Sequence, residues 1–292
     1  MVAFFGGSYE GAADVKIWAV VLKDGHAGNP VILAEGKVND TITYPCWNPV
    51  LYRSHEGTLF LFYKVGKNPR EWFGMMKSSR DEGHTWTEPS SLPPGILGPV
   101  KNRPLELADG KLLCPSSMET ETEWKVQMEI YNAGANSWEI RQVDPGSSFQ
   151  VIQPTILTGQ DSVIRILCRS KSNVVITSYS MDQGKSWSSL SAMDLPNPNS
   201  GIDAVTLHDG SHLLAYNPLV SGKEWVNGRN RLNLAWSADG LHWSDIMVLE
   251  NAESGEFSYP AIIQTPDNLV HLTYTNNRTQ IKYVKLRIKP ST

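Results

Sequence analysis

Short apolar runs separated by polar turns recur along the chain. Five units each pair one apolar run with a second across a turn that usually contains glycine, and they span residues 48–64, 103–117, 153–170, 202–218 and 259–275. Runs of this length, bounded by turn residues, predict a β-hairpin in every unit. Helical periodicity is almost absent, so the pattern predicts an all-β protein.

A second pattern follows the hairpins. The spacing S-x-D-x-G-x-T-W at 79–86 recurs with Ser in place of Thr at 180–187, one residue shorter at 237–243, and as a partial copy at 134–138. Asp and Ser side chains in such turns bond their own backbone, and Gly supplies a positive φ. The tryptophans that end the four copies lie 52, 49 and 56 residues apart: Trp86, Trp138, Trp187 and Trp243. A period of roughly 50 residues is typical of propeller blades.

Together the two repeats predict a six-bladed β-propeller of four-stranded blades. The hairpin units supply five blades, and residues 1–25 supply part of a sixth. Because the first unit begins inside its hairpin, the first blade is expected to be incomplete at the N-terminus and to lack its innermost strand. We expect the propeller to form a single domain over residues 1–292.

Charge and hydropathy narrow the possible partners. The net charge of −4 and the pI near 6.0 give no basic face for nucleic acid or anionic lipid. No apolar run of about 18 residues predicts a membrane span, and the first residues lack the basic and apolar regions of a signal peptide. Ten tryptophans favour a carbohydrate ligand, because exposed indoles stack on sugar rings. The compartment and the oligomeric state stay open.

Disulfide and metal chemistry are not expected. Cys46, Cys114 and Cys168 show no C-x-x-C spacing and stand beside apolar residues, which predicts buried free thiols. The seven histidines form no H-x-x-H-type cluster, so no metal and no other cofactor is expected.

The repeated turns resemble those of the Asp-box (bacterial neuraminidase repeat, BNR) superfamily, and the whole chain resembles its sialidase-like branch. The turns at 79–86 and 180–187 carry the superfamily resemblance, although they are structural and say nothing about catalysis. The branch is suggested by the phrases "FFGGSYEGAADVKIW", "PCWNPVLY", "LPPGILGPVKNRP", "LPNPNSGIDAV" and "EFSYPAIIQT".

The resemblance implies a carboxylate clamp of arginines, because planar guanidinium groups bind carboxylates bidentately. Arg169 in "ILCRSK" resembles the fourth-blade arginine, and Arg229 resembles the fifth-blade arginine, with Arg231 as second choice. A salt-bridged strand end and a solvated loop are the plainer interpretations of these residues.

The resemblance also implies a tyrosine nucleophile and a carboxylic acid/base. Tyr259 in "EFSYPAII" resembles the nucleophile, and a packing tyrosine is the alternative. Glu10 lies near the acid/base position in a Gly-rich loop, with Asp14 as the alternative, although either carboxylate could only cap a turn.

The chain departs from the family pattern at the residue expected to act as general base for the tyrosine. The glutamate partner of the tyrosine is replaced by Gln153, and an amide cannot accept the phenolic proton. Glu256 could serve instead, but residues an odd number apart in a strand face opposite ways, so a bend would have to intervene.

Other polar and aromatic residues are expected to line the pocket. Asn199 and Asp203 lie in the loop 196–203, where Asn-Pro pairs also favour plain turns, and Asp203 could be a second carboxylate. Lys64 could help to bind an acidic sugar. The residues at inner-strand starts are Trp47, Asn48, Lys101, Asn102 and Gln153.

The leading hypothesis is an exo-acting, sialidase-like glycoside hydrolase that cleaves a terminal acidic sugar from a glycan. One alternative is another glycan-cleaving propeller enzyme, a uronate-directed hydrolase or lyase. Another is a carbohydrate-binding propeller without catalysis. The sugar, the linkage and the stereochemical outcome stay open.

Overall fold

The computed structural model describes residues 1–23, 25–159, 162–221, 224 and 227–288, and the regular elements in these ranges are β-strands. The chain divides into two compact units, Met1–Glu123 with Gln127–Ile140, and Trp124–Val126 with Arg141–Thr292. No helix in the described ranges is long and apolar enough to span a membrane. The all-β prediction is confirmed.

The first unit holds two antiparallel sheets and most of a third. Sheet 1 has the order β1-β2-β5, from β1 (Val2–Gly6), β2 (Lys16–Val20) and β5 (Val31–Ala34), with the small hairpin β3 (Leu22–Lys23) and β4 (His26–Ala27) between the last two. Sheet 2 contains β6 (Cys46–Arg53), β7 (Leu59–Val65), β8 (Phe73–Ser79) and β9 (Ser90–Ser91). Sheet 3 contains β10 (Leu105–Glu106), β11 (Leu112–Glu119), β12 (Trp124–Asn132) and β13 (Ser137–Gln142).

The second unit holds three sheets, each with its strands in chain order. Sheet 4 contains β14 (Val151–Thr158), β15 (Ile164–Ser170), β16 (Val174–Ser180) and β17 (Ser191–Pro196). Sheet 5 contains β18 (Asp203–Thr206), β19 (His212–Tyr216), β20 (Arg231–Ser237) and β21 (Ser244–Asn251). Sheet 6 contains β22 (Phe257–Gln264), β23 (Leu269–Asn276) and β24 (Gln280–Arg287).

The five predicted hairpins are the first two strands of sheets 2 to 6. Part of the tip of the 153–170 hairpin lies outside the described residues. Sheet 1 has three strands, as expected for an incomplete first blade. Within residues 227–288, sheet 6 also has three strands, which the hairpin pattern did not predict because that pattern covers only the first two strands of a sheet.

Apolar side chains pack between consecutive sheets within each unit. Sheets 1 and 2 share a cluster that includes Ile17, Leu61 and Tyr63, while sheets 5 and 6 share one that includes Leu213 and Ile262. Strand alternation sends every second side chain to one face, so each sheet contributes apolar side chains to its neighbour.

The repeated turn forms the hydrogen bonds that its residue types predict. Gly83 N donates to Ser79 Oγ at 2.8 Å, and Thr85 N donates to Asp81 Oδ1 at 2.8 Å. The Trp86 indole closes the turn by donating to Gly83 O at 3.1 Å. The copy at 180–187 repeats all three contacts. The prediction from the local spacing is therefore confirmed.

Three first strands carry an irregularity just before a proline. Asn48, Gln153 and Tyr259 have φ of 44°, 54° and 51°, and the pairing register of each strand shifts at this position. Left-handed φ is costly for a side chain other than Gly or Asn, and such residues cluster at functional sites. The bulge interrupts strand alternation and redirects the side chain.

Candidate active site

Arg169 is the centre of a polar cluster in the second unit. Its side chain is buried near the end of β15, where Nε donates to Asn199 Oδ1 at 3.0 Å and Nη1 donates to Gln153 Oε1 at 3.2 Å. Its guanidinium carbon lies 5.6 Å from the Trp124 ring centre. Nη2 forms no hydrogen bond within the described part of the chain. The guanidinium is thus held on two nitrogens and keeps a donor for a ligand.

Gln153 fixes Arg169 without neutralising it. The amide oxygen accepts one hydrogen bond, as a carboxylate oxygen would, but it carries no charge. No carboxylate in the described ranges forms an ion pair with Arg169. The positive charge therefore stays available to an anionic ligand.

Sequence reasoning missed the aromatic surface beside Arg169. The Trp124 ring also lies 4.3 Å from Nζ of exposed Lys171. Two cations at one indole ring form a local positive patch that attracts anions. The excess of tryptophans was the available indication, but it did not distinguish Trp124 from the other nine.

Tyr259 lies at the bulge of β22 and is half-buried. Its ring centre is 5.9 Å from the guanidinium carbon of Arg229. Its hydroxyl forms no hydrogen bond with a described residue, and the described apolar clusters between the sheets do not include it. The side chain is therefore not a core tyrosine, the interpretation that would have ruled out a nucleophile.

Glu256 is held by two arginines and a serine. Arg229 Nη1 donates to Oε1 at 3.0 Å, Arg278 Nε donates to Oε2 at 2.7 Å, and Ser258 Oγ donates to Oε1 at 2.6 Å. Burial opposes the charged form, but these bonds and the nearby cations lower the pKa of the carboxyl below its ordinary value. Glu256 is an ion-pair partner, so it is poorly suited to take the proton of Tyr259.

Arg229 has a structural role, and its side chain is not accessible to a ligand. Its side chain is 0% exposed, and Nη2 donates to Asn199 O at 3.1 Å while Nη1 bonds Glu256. The expectation that Arg229 contacts a sugar carboxylate directly does not fit this conformation, because the guanidinium is fully covered. Asn199 is held from both sides, by Arg229 at its carbonyl and by Arg169 at its side chain.

Arg231 belongs to a network inside sheet 5. It begins β20, and its Nε donates to Asn233 Oδ1 at 3.2 Å. Asn233 Nδ2 in turn donates to Asp245 at 2.6 Å, and the Tyr216 hydroxyl donates to the same carboxylate at 3.0 Å. This position favours a structural role over ligand binding.

Asp203 ties together the first strands of sheets 4, 5 and 6. Thr155 Oγ1 and Ala204 N donate to its Oδ1 at 2.8 and 2.9 Å, and Ile262 N donates to its Oδ2 at 2.9 Å. Both oxygens are used, and the side chain is buried. The expectation of a second catalytic carboxylate here does not fit, because the side chain is buried and hydrogen-bonded to three strands.

The two carboxylates of the first-unit loop differ. Asp14 accepts from the Ser8 hydroxyl and from Ser8 N at 3.1 Å, and these bonds lower the pKa of its carboxyl. A carboxyl held ionised in this way caps the turn and is a poor proton donor. Glu10 is exposed on the same loop, so it is the better candidate acid.

Two further expected ligand-binding residues of the first unit are buried, which does not fit direct contact with a sugar. Trp47 is buried, donates to Gly66 O at 2.8 Å and contacts Trp72 with ring centres 6.2 Å apart, so it is a core residue. Lys64 is 0% exposed, and its ammonium donates to Pro99 O. Burial lowers the pKa of Lys64 to about 7 against the opposing effect of Glu129, and the covered amine cannot reach a sugar.

Asn48, Lys101 and Asn102 keep positions at the sheet starts. Asn48 is half-buried at its bulge, Asn102 is buried, and Lys101 Nζ donates to Asn102 Oδ1 at 2.8 Å. Their predicted role in lining a pocket stays a prediction. In the described ranges, no group of three or more His, Cys, Asp or Glu side chains could hold a metal ion.

Buried Glu129 was also missed. It accepts from Gly98 N at 2.6 Å, Ser116 Oγ at 2.8 Å and Gln127 Nε2 at 2.9 Å, and burial raises the pKa of its carboxyl despite these bonds. The available indication was the run of polar residues at alternate positions of this strand, Lys125, Gln127 and Glu129.

A family model described as a BNR repeat-like domain matches residues 1–272. The chain belongs to the BNR repeat-like family. No curated protein matches its sequence.

Solved structures show the fold of this BNR repeat-like protein. A Dyadobacter fermentans protein of unknown function has a TM-score of 0.75 at 15% identity, covering 97% of this chain and 87% of its own. A Hadza microbial sialidase has a TM-score of 0.76 at 15% identity, with 94% of this chain and 60% of its own covered. The K499G mutant of the NanB sialidase from Streptococcus pneumoniae has a TM-score of 0.71 at 12% identity, with 94% and 63% covered.

The likeness confirms the predicted fold, an all-β six-bladed propeller of the sialidase type. At 12–15% identity it shows the fold alone. The BNR repeat-like chain spans most of the Dyadobacter protein and about three fifths of the two sialidases.

Proposed function

We propose that this BNR repeat-like protein is an exo-acting glycoside hydrolase that removes a terminal acidic sugar from a glycan. The observation that carries the proposal is Arg169, a buried arginine fixed by Gln153 and Asn199, with Nη2 left for a ligand and no carboxylate partner among the described residues. A guanidinium placed in this way favours a carboxylate-bearing sugar. The propeller fold shared with sialidases supports a glycan substrate.

In this proposal Arg169 anchors the carboxylate, and Tyr259 is the nucleophile or stabilises the charge that develops at the anomeric carbon. A carboxylic acid supplies the proton to the leaving oxygen, which is the role that the family resemblance implies for Glu10. Arg229 lies against the Tyr259 ring and places a positive charge beside it. No base beside Tyr259 takes the phenol proton, since Gln153 is an amide and Glu256 is bound to arginines. In this proposal the proton passes to solvent water as the phenol oxygen bonds to the anomeric carbon.

The same observation favours a second candidate, a carbohydrate-binding propeller that holds an acidic sugar without cleaving it. Retaining glycosidases need an activated nucleophile. With Gln153 and the ion-paired Glu256, Tyr259 lacks the usual activation. The cation Arg169 would bind the sugar in either case. A uronate-directed hydrolase or lyase is the third candidate that shares this anchor.

The test is hydrolysis of an aryl glycoside panel that includes sialosides and glucuronides. The wild type is compared with Tyr259→Phe and with the control Tyr179→Phe, which changes an exposed tyrosine of sheet 4. Cleavage that is lost only in Tyr259→Phe supports the hydrolase with Tyr259 in its reaction. Cleavage that survives in Tyr259→Phe contradicts its role, and binding of an acidic sugar without cleavage by any of the three proteins supports the binding propeller.

A further inference from the structure

Three hydrogen-bond donors around the Trp124 ring have no acceptor in the described part of the chain. They are Nη2 of Arg169, Nζ of Lys171 and Nε1 of the indole itself. The guanidinium carbon of Arg169 lies 5.6 Å from the ring centre, and Nζ of Lys171 lies 4.3 Å from it. The two cations are therefore no farther apart than these two distances combined, a separation that one sugar ring with two substituents spans.

Gln150 fixes the backbone on which these donors stand. Its side-chain Oε1 accepts from Trp124 N at 2.8 Å, and its carbonyl oxygen accepts from Lys171 N at 3.1 Å. Arg169 is paired with Ile152, two residues further along the same strand segment. Because this backbone is already hydrogen-bonded, a ligand does not have to order it on binding.

The two cations lie at different depths. Arg169 is only 6% exposed, whereas Lys171 is exposed and the Trp124 ring is half-buried. A carboxylate that reaches the buried guanidinium leaves the ammonium at the rim to a group on another carbon of the same sugar. The half-buried indole offers an apolar face on which the sugar ring between the two groups can stack.

Neither cation is neutralised within the described ranges. No carboxylate there forms an ion pair with Arg169 or Lys171, and Glu123, beside Trp124 in the chain, is exposed and pairs with neither. All three unpaired groups are donors and two are cations, so the complementary ligand has acceptor oxygens and two negative charges. An acidic sugar that bears a sulfate or phosphate ester has both, because the ester adds a negative charge and several acceptor oxygens.

We propose that Trp124 and Lys171 extend the Arg169 site to take a second anionic group, so that the preferred ligand is an acidic sugar that also carries a sulfate or phosphate ester. The carboxylate lies at Arg169, the sugar ring lies on Trp124 and the ester lies at Lys171. The proposal rests on the proposed function for Arg169 as the carboxylate anchor. The preference for the ester is a separate property, and a different comparison tests it.

The experiment compares each acidic sugar with its own esters by isothermal titration calorimetry. The parent sugars are glucuronate and N-acetylneuraminate, and each ester carries one sulfate or one phosphate on one of the hydroxyls. We expect at least one ester to bind the wild type about fivefold more tightly than its parent, the scale of an ion pair exposed to water. Whichever of sulfate and phosphate gives the larger gain identifies the ester. Esters that bind no more tightly than their parents overturn the proposal.

Lys171→Gln should remove the preference for the ester, and Lys171→Arg should keep it because the charge is retained. The matched control Lys185→Gln removes an exposed lysine from the Asp-box turn of sheet 4 and should keep the preference as well. A preference that survives in Lys171→Gln overturns the proposal, because any loss of affinity would then be the same for parent and ester.

Trp124→Phe and Trp124→Leu test the stacking surface. Phenylalanine keeps a planar face for the sugar ring and leucine does not. We expect Trp124→Leu to weaken the binding of parent and ester by a similar factor, several-fold more than Trp124→Phe does. Equal Kd values in the two variants would overturn the role of Trp124.

The outcomes separate this proposal from the proposed function. Turnover of aryl glycosides and binding of the parent sugars test the proposed function. Ester binding that depends on Lys171 supports the second anionic group even when no glycoside is cleaved. Absence of binding of every ester to the wild type overturns it, whatever the glycosides show.

Discussion

Arg169 shows how one neutral side chain changes the use of a buried cation. A glutamate at position 153 would stand within hydrogen-bond distance of the guanidinium and form an ion pair, whereas Gln153 gives the bond without the charge. Burying an arginine without a compensating carboxylate is costly. In the proposed function, a bound acidic sugar would supply the missing charge.

Replacing Arg169 by lysine should weaken the binding of acidic sugars. A lysine ammonium cannot bond Gln153 and Asn199 and still offer a planar donor to a carboxylate. We expect the Kd for N-acetylneuraminate or glucuronate to rise about tenfold or more, the scale of one charge-assisted hydrogen bond. Isothermal titration calorimetry measures it, with Arg165→Lys on the same strand as control. An unchanged Kd would contradict the anchor.

Asp203→Asn should destabilise the protein. The carboxylate accepts hydrogen bonds from Thr155, Ala204 and Ile262, and an amide nitrogen would face one of these donors. We expect a loss of about 3 kcal/mol in the free energy of unfolding, the cost of an unsatisfied buried group beside a lost charged bond. Denaturant unfolding of this variant and of Asp194→Asn, which changes an exposed aspartate, measures it. Equal stability of the two variants would show that the hydrogen bonds of the Asp203 carboxylate do not contribute to stability.

At the scale of elements, two small structural motifs recur along the chain, a turn and a β-bulge. The Asp-box turn ties a serine, an aspartate and a tryptophan within eight residues, so it forms locally and repeats almost unchanged. The bulge before proline is also repeated, but its residue differs from strand to strand: Asn48, Gln153 and Tyr259. The same bulge therefore positions an amide side chain in two strands and a phenol in the third. The chemistry at this position can change while the sheets keep the same backbone structure.

The Asp-box aspartates should make the protein sensitive to acid. Hydrogen bonds from Thr85 and Ser186 lower the pKa of Asp81 and of Asp182 to about 2. A carboxyl with a lowered folded-state pKa contributes stability above its ordinary pKa of 3.8, and this contribution is lost as the pH falls towards 2.

Asp182→Asn should therefore melt a few degrees below the wild type at pH 6, roughly 2–4 °C for each kcal/mol lost. The difference in Tm should shrink as the pH approaches 2, where the wild-type carboxyl is itself protonated. Thermal melts across this pH range check it. A difference in Tm that does not change with pH would show that the turn depends on shape and not on charge.

At the scale of the whole molecule, folding buries all three thiols, and two of them, Cys46 and Cys114, belong to apolar clusters between sheets. Cys46, Cys114 and Cys168 are buried and free, which confirms the expectation from their apolar neighbours. Burial raises the pKa of Cys46 to about 12 and raises those of the other two as well. The reactive thiolate is thus suppressed in the folded protein.

The folded protein should resist alkylation. Iodoacetamide at pH 8 should modify none of the three cysteines in the native state and all three in guanidinium chloride, counted by intact-mass spectrometry. A native thiol that reacts at the rate of the unfolded protein would show that its sheet opens locally.

The sequence by itself determined the elements of this protein. The apolar runs, the hairpin turns and the Asp-box each depend on neighbours a few residues away, and the Asp-box recurs roughly every 50 residues in the chain itself, so together they predict the all-β propeller. The positions of Arg169 near a strand end and of Tyr259 at the head of β22 also follow from this local pattern.

Only the tertiary structure decided which polar residues are covered and what they bind. Arg229 meets Glu256 across 27 positions, Arg169 meets Asn199 across 30, and Asp203 meets Ile262 across 59. These contacts depend on how neighbouring sheets face each other and on bulges that break alternation, which no local pattern records. The contact of the Trp124 ring with Arg169 and Lys171 has the same origin, since the ring is distant from them in the chain and adjacent only after folding.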